Sequence, residues 1–368
     1  MQITGLTQHH VSHPLDGVFE PTWIPGYPQT SHEAEVFQVE TDAGITGLAA
    51  SPSFAGGIQY ADPVSLFLMG TDPHDVDGIL ARLESVDLVG PRPWHLELAL
   101  WDIIGKDAGK PVCELLGGDR SPVRAYASTG AVIPAEERIT YVEERLEEGF
   151  EAVKLRIRDH GDLEIVREVR DHFPDLTLMV DANEGWTVRV MDDPPRWTYR
   201  DALRAARELE ELGGIEWFEE PLHRHDPRAY AKLRTATDVP IAGGEFNEGP
   251  HQLYEFLRQE ALDVLQPDAA LVTGIKRAVE VAGAARDAGV RFVPHTWTNA
   301  IGFAANLHVM AAVDAPWCEF PIDPPWTPEA WGAMIEEPFA VTDGAIAPRD
   351  RPGLGVELDE TVLEDGEE

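Results

Sequence analysis

Leu176-Thr177-Leu178-Met179-Val180-Asp181-Ala182-Asn183 is a short apolar run that ends on an acid and an amide. Such a run, bounded by polar residues, reads as a buried strand. The same design recurs on both sides. Ala152-Val153-Lys154-Leu155-Arg156-Ile157 carries two basic residues at alternate positions, and Trp217-Phe218-Glu219-Glu220-Pro221 ends on two acids. Worked outward, the pattern gives eight candidate strands at residues 124–127, 152–157, 176–180, 216–218, 240–242, 264–266, 291–293 and 317–318. Candidate helices between them cover 135–148, 163–172, 199–212, 228–235, 250–258, 275–288 and 300–312. Short apolar strands alternating with helices predict a parallel β/α barrel.

The flanks read differently. Val36 to Gly47 reads as two strands around an Asp42-Ala43-Gly44 turn, and Ala99 to Ala108 reads as a helix. Residues 1–120 are therefore expected to form a small α+β domain, 121–330 the barrel, and 331–368 a segment returning to the small domain. Residues 187–198 lengthen the connection after the third barrel strand, as an insertion.

Composition narrows the function. The chain has 66 acidic and 29 basic residues, a net charge of −37. That charge argues against nucleic acid and anionic membrane as partners. No apolar run is long enough to span a bilayer, and no secretory signal is visible at the start. Cys113 and Cys318 form no metal-type or redox-type pair and read as buried thiols of a reducing cytoplasm. Only Lys106, Lys110, Lys154, Lys232 and Lys276 are lysines. An acidic, lysine-poor surface predicts adaptation to high salt, which screens self-repulsion.

Active sites of β/α barrels lie at the C-terminal ends of the strands. Read there, the chain delivers Lys154 and Arg156, Asp181, Glu219, Glu245, Asp268, His295 and Glu319, spaced by roughly one βα unit each. In so acidic a chain one carboxylate means little; the phase with the strands is the signal. Asp181, Glu219 and Glu245 converge, and three carboxylates repel unless a cation joins them. Oxygen donors suit Mg²⁺; the lack of thiolates and the single converging histidine argue against zinc. The bland alternative is helix-capping or surface carboxylates. A carboxylate substrate on such a cation loses its α-proton more easily, because the enediolate charge falls on coordinated oxygens. Lys154 is a candidate base if Arg156 and the cation lower its pKa. His295 is a candidate base or acid on the other face, oriented by Asp268. Their bland readings are a structural ion pair and a core histidine. Glu319 reads equally as a substrate contact or an ion-pair partner.

At this point the chain resembles the enolase superfamily, and within it the mandelate racemase subgroup, over roughly residues 35–355. The resemblance rests on Ala99-Leu100-Trp101-Asp102-Ile103-Ile104-Gly105-Lys106 with the following Gly109 to Gly118, on Val180-Asp181-Ala182-Asn183, Trp217-Phe218-Glu219-Glu220-Pro221 and Gly244-Glu245, and on the Asp268/His295 pair. It implies a (β/α)₇β TIM-type barrel with an N-terminal α+β capping domain completed by the C-terminal segment, a Lys or His base with Mg²⁺, and homo-oligomers from dimer to octamer. Two positions depart from sister patterns. Asp268 stands where the muconate-cycloisomerase and dipeptide-epimerase branch has a lysine, Lys276 being in the next helix. Arg156 stands where mandelate racemase has a second lysine, and arginine keeps its proton; the match suggests a substrate clamp. Which of Lys154 and His295 is the base stays open.

The resemblance therefore points first to a sugar-acid dehydratase, a lyase giving a 2-keto-3-deoxy acid, with protonated His295 as the acid for hydroxide. Epimerase, racemase or cycloisomerase chemistry on the same site is the alternative; a non-catalytic, metal-stabilised binding protein is the third reading. Asn183 is expected to face substrate, or else to serve a turn. Specificity loops are expected at 21–27, with Trp23 and Tyr27, and at 51–57. Trp186 and Trp297 are expected to wall the pocket.

Overall fold

The computed structural model describes residues 1–53, 59–88, 90 and 92–364. Phe54 to Gly57 of the expected 51–57 loop, and the acidic residues beyond Glu364, lie outside the described residues.

β1 (Ile3–Phe19), β2 (Gln29–Thr41) and β3 (Thr46–Pro52) form an antiparallel sheet in that order. The β2–β3 turn is the expected one, with Gly44 at φ 75. β1 was not anticipated. Its polar Thr7-Gln8-His9-His10 stretch hides the alternation, and Ile3, Val11, Leu15 and Phe19 are its buried side chains. α1 (Ala61–Leu68), α2 (Val76–Asp87), α3 (Leu96–Ala108) and α4 (Val112–Leu115) follow. Gly47 lets α3 press on β3: a Cβ there would lie 2.1 Å from the Ala99 carbonyl oxygen. Buried Asp102 then accepts from Lys106 Nζ (2.7 Å), the Leu48 N–H (3.0 Å) and the Leu354 N–H (2.9 Å). One carboxylate thus ties helix, sheet and C-terminal segment together.

The barrel strands are β4 (Val123–Ser128), β5 (Ala152–Arg156), β6 (Thr177–Asp181), β7 (Ile215–Glu219), β8 (Ile241–Gly243), β9 (Val264–Leu265), β10 (Arg291–Phe292) and β11 (Cys318–Pro321). β4 to β10 pair in parallel in chain order, and β11 returns to pair with β4. The connecting helices are α5 (Ala135–Glu147), α6 (Leu163–His172), α7 (Tyr199–Leu212), α8 (Pro227–Arg234), α9 (Pro250–Arg258), α10 (Ile275–Asp287) and α11 (Ala300–Val313). This is the (β/α)₇β order the sequence predicts, with strand and helix ends displaced by three residues or fewer. After α12 (Pro328–Trp331), β12 (Ala345–Ile346) pairs antiparallel with β4, and α13 (Thr361–Glu364) packs on β1. No described helix is long and apolar enough to cross a membrane.

Inside the barrel, Tyr126, Ala152, Met179, Trp217, Ala242, Val264, Val293 and Trp317 pack into one buried layer. Successive strand side chains alternate faces, so residues two apart point the same way. Two residues beyond the layer stand Ser128, Lys154, Asp181, Glu219, Gln266, His295 and Glu319. The layer closes the lower barrel and aims its successors at the mouth. Glu245 breaks this phase: it follows Gly244, whose φ of 126 re-aims the chain as glycine alone readily allows.

Candidate active site

Asp181, Glu219 and Glu245 are buried, with one ligand atom of each within 4.8 Å of the others. Lys154 Nζ donates to Glu219 Oε1 at 2.7 Å and lies 2.7 Å from Glu319 Oε1 and 3.5 Å from Asp181 Oδ2. Arg156 pairs with Asp181 and donates to Asn183 Oδ1 (2.9 Å) and the Thr129 carbonyl (2.6 Å). Beside Glu245, His295 Nδ1 lies 3.0 Å from Asp268 Oδ2, and its Nε2 lies 3.6 Å from Glu245 Oε2. Asp268 Oδ1 also accepts from the Ala270 N–H (2.7 Å) and Asn306 Nδ2 (3.0 Å).

Burial and charge oppose each other here. Burial raises Asp181 well above the usual carboxylate range, with Arg156 working against it. Burial would also raise Glu219, but Lys154 and Arg156 outweigh it and hold Glu219 low. Burial would depress Lys154, yet Glu219 and Glu319 win and hold it as an ammonium ion. The downward push expected from Arg156 is present and, without a cation beside the acids, smaller than their upward pull. Burial would lower His295 too; Glu245, Glu319 and Asp268 together push it up to about 9.

A cavity of about 350 Å³ opens over these groups. Arg156, Asn183, Glu245 and His295 reach its lining, as do Trp23, Tyr27, Trp186 and Trp297. Lys154, Asp181, Glu219, Asp268 and Glu319 lie beneath it, buried. Trp23 meets Trp297 edge-on at 5.1 Å, and the Arg156 guanidinium sits 5.3 Å from the Trp23 ring centre. The insertion touches this wall: the Val188 N–H donates to the Trp23 carbonyl. Asn183 lines the cavity and sits in a turn. Its φ of 47 is a turn conformation, its Oδ1 accepts from Thr22 and Arg156, and its buried Nδ2 has no partner among the described residues.

The three carboxylates fit a hard metal ion. The donors are all oxygen, and Glu245 Oε2 is a buried acceptor without a hydrogen-bond donor among the described residues. Of the groups that support the site's acids, Trp186 and Trp297 were expected only as pocket walls, and Ser128, Trp217 and Gln266 were not singled out from sequence. Gln266 Nε2 (2.9 Å) and Trp217 Nε1 (2.9 Å) both donate to Glu219 Oε2. Trp186 Nε1 donates to Glu245 Oε1 (2.7 Å). Ser128 Oγ donates to Glu319 Oε1 (2.7 Å) and accepts from Trp297 Nε1 (2.8 Å). Counting two residues on from each inward apolar position would have found Ser128 and Gln266. Asn306, a buried amide on apolar α11, was visible as a polar residue in the wrong company.

Residues 137–362 match the family model described as "Enolase C-terminal domain-like". The chain belongs to the enolase superfamily. Among superfamily members, it is 33% identical to the D-galactarolactone cycloisomerase of Agrobacterium fabrum, over 99% of this chain and 98% of that one. It is 32% identical to the arabinonate dehydratase of Saccharolobus solfataricus, over 73% of this chain and 70% of that one. The structure of L-talarate dehydratase from Polaromonas sp. JS666, complexed with Mg and L-glucarate, superposes with a TM-score of 0.83 at 27% identity, covering 99% of this chain and 97% of that one.

Proposed function

We propose that this superfamily member removes the α-proton of a sugar acid and expels its β-hydroxyl, giving a 2-keto-3-deoxy acid. The carrying observation is that Lys154 against Glu219, and the His295–Asp268 pair beside Glu245, both adjoin the three carboxylates. Asp181, Glu219 and Glu245 would hold Mg²⁺, which when bound supplies positive charge beside the substrate carboxylate and so acidifies the adjacent C–H. Lys154 would act as the base after giving up its proton, a loss that positive charge held by Asp181, Glu219 and Glu245 would favour by opposing the pull of Glu219 and Glu319. The C–H electron pair passes first into the substrate carboxylate, as an enediolate, and then forms the C=C bond to the β-carbon as the C–O bond breaks. Protonated His295 gives its Nε2 proton to the departing hydroxide, which leaves as water. The resulting enol tautomerises to the ketone. Arg156 and Asn183 orient the substrate, and Trp23, Tyr27 and Trp297 wall it. Residues 1–120, completed by 331–368, act as the cap over the 121–330 barrel. The acidic, lysine-poor surface supports a cytoplasmic home of high salt, and the family resemblance supports a homo-oligomer.

Epimerisation, racemisation or cycloisomerisation is the second reading, favoured by the cycloisomerase among the relatives. A screen of sugar acids for 2-keto-3-deoxy products, with Mg²⁺ in molar salt, separates the two. Product supports dehydration. Solvent deuterium in recovered, unrearranged substrate without product supports epimerisation or racemisation. Absence of any α-proton exchange across the panel would leave a binding protein.

A further inference from the structure

One buried carboxylate outside the barrel grips the chain segment that carries Asp268. Glu97 lies in the first turn of α3 and is fully buried. Its Oε1 accepts from Trp101 Nε1 at 2.9 Å, within α3, and from the Lys276 N–H at 3.1 Å, in the first turn of α10. α10 needs such a partner. The residue before it, Gly274, has no side chain to receive the first N–H groups, and a helix N-terminus favours negative charge. Gly274 also admits the carboxylate, since a Cβ there would lie 1.7 Å from Glu97 Oε2. A barrel helix is thus capped by a side chain of α3.

Between Asp268 and Gly274 runs one tight turn, Ala269–Thr273. Asp268 Oδ1 accepts from the Ala270 N–H (2.7 Å), the Asp268 carbonyl from the Val272 N–H (2.9 Å), and the Ala269 carbonyl from the Gly274 N–H (2.8 Å). These bonds make the turn a short, stiff link. Asn306 pins its start, donating to Asp268 Oδ1 and accepting from the Ala269 N–H. Glu97 pins its end. Leu271, in the middle of the turn, lines the cavity.

We infer that Glu97 is a positioning residue: its carboxylate, by capping α10, fixes the turn that carries Asp268 and so the Nδ1 partner of His295. The inference rests on the proposed work of the His295–Asp268 pair. A misplacement of about 1 Å far from the chemistry can cost roughly 10²-fold in rate, so this cap bears on turnover as well as on folding. Its charge is adjustable. Burial raises Glu97 to about 7, opposed by Trp101 Nε1, the Lys276 N–H, Arg277 and the Ile275 N–H. The neighbouring charges are spoken for: Lys276 pairs with Asp77 and Arg277 with Glu84, both acids on α2. The cap is therefore anionic above that pH and neutral below it.

The test compares Glu97→Ala, Glu97→Gln and Trp101→Phe in the Mg²⁺-loaded full chain in molar KCl. Trp101→Phe removes the other donor to the same oxygen and leaves α10 capped. The readouts are hydrogen exchange of peptides spanning 268–278, Mg²⁺ affinity by calorimetry, and the rate of substrate α-proton loss, whether it ends in keto-deoxy product or in solvent exchange. Glu97→Ala should speed exchange in that segment and lower kcat about tenfold or more, with KM and Mg²⁺ affinity within about threefold of the parent. Glu97→Gln keeps the shape without the charge. Its kcat should fall below the parent's near about pH 8 and converge on it near about pH 6, where the parent's own carboxyl is protonated. Trp101→Phe should leave kcat and exchange within about threefold. Should Glu97→Ala fail to fold, the Gln variant and its pH dependence carry the test. Unchanged exchange in Glu97→Ala, an equal loss of kcat in Trp101→Phe, or a parent-to-Gln ratio constant across that pH range would overturn the inference. If the parent takes no α-proton from any sugar acid, the proposed function falls and the exchange data alone decide the inference.

Discussion

Replacing Asp268 by Asn changes one atom and should nearly silence His295. The carboxylate takes three donors: Ala270 N–H and Asn306 Nδ2 on Oδ1, and His295 Nδ1 on Oδ2. An amide has one oxygen and one NH₂. If its oxygen faced His295, the NH₂ would confront two donors. The favoured orientation therefore keeps the oxygen on Ala270 and Asn306 and turns the NH₂ toward His295. The imidazole must then accept at Nδ1 and carry its proton on Nε2. In that tautomer the neutral ring is too weak an acid to protonate a departing hydroxide, and the imidazolium that could do so would meet the NH₂ with a second N–H and lack its counter-charge. The loss in kcat should be roughly 10³ to 10⁴, the scale of the same change in a Ser-His-Asp triad. Folding should suffer little, since each group keeps a partner; about 1 kcal/mol is expected for exchanging one such hydrogen bond. The assay is kcat for the keto-deoxy product, with thermal unfolding alongside. A variant with normal melting and kcat within tenfold of the parent would refute the orienting role of Asp268.

Glu245→Gln removes the buried acceptor Oε2 and should weaken Mg²⁺ binding at least tenfold by calorimetry; an unchanged titration would exclude Glu245 from the metal site. Lys154→Ala should abolish turnover and, by leaving Glu219 and Glu319 buried without their cation, cost about 3–5 kcal/mol of stability; retained activity would remove Lys154 from the chemistry. Burial lowers His308 from 6.5 to about 4. Because the unfolded chain takes up that proton first, the stability contributed is whole above pH 6.5 and is lost as pH falls toward 4, by up to ~3 kcal/mol. His308→Gln, which can still accept from the Cys113 N–H, should flatten Tm between those pH values. Tm of the parent should climb as KCl rises from dilute to molar; a flat response would remove the salt-adaptation reading.

The barrel was legible because its strands are buried on both faces, so each appears as an apolar run punctuated by a polar residue at its end. Lys154, Asp181 and Glu219 were found by that rule. β1 was not legible, since its solvent face carries histidines and Gln8 where an alternating strand would show a cleaner pattern. The network below the cavity was only half legible. A sequence places Lys154 and Arg156 on one strand, but whether a lysine's charge is depressed by a neighbouring arginine or held by two acids depends on Glu319, which arrives from the far end of the chain. Glu245 was legible from its spacing alone, while the reason it points inward lies in the φ of Gly244.

The aromatic layer of Tyr126, Trp217 and Trp317 has a kinetic meaning as well as a packing one. Among the described residues it stops the barrel below the strand ends, so a ligand over His295 comes and goes by the mouth. Product and incoming substrate would then compete for one site, product inhibition should be competitive, and release through the mouth would come to limit turnover as the proton transfers quicken.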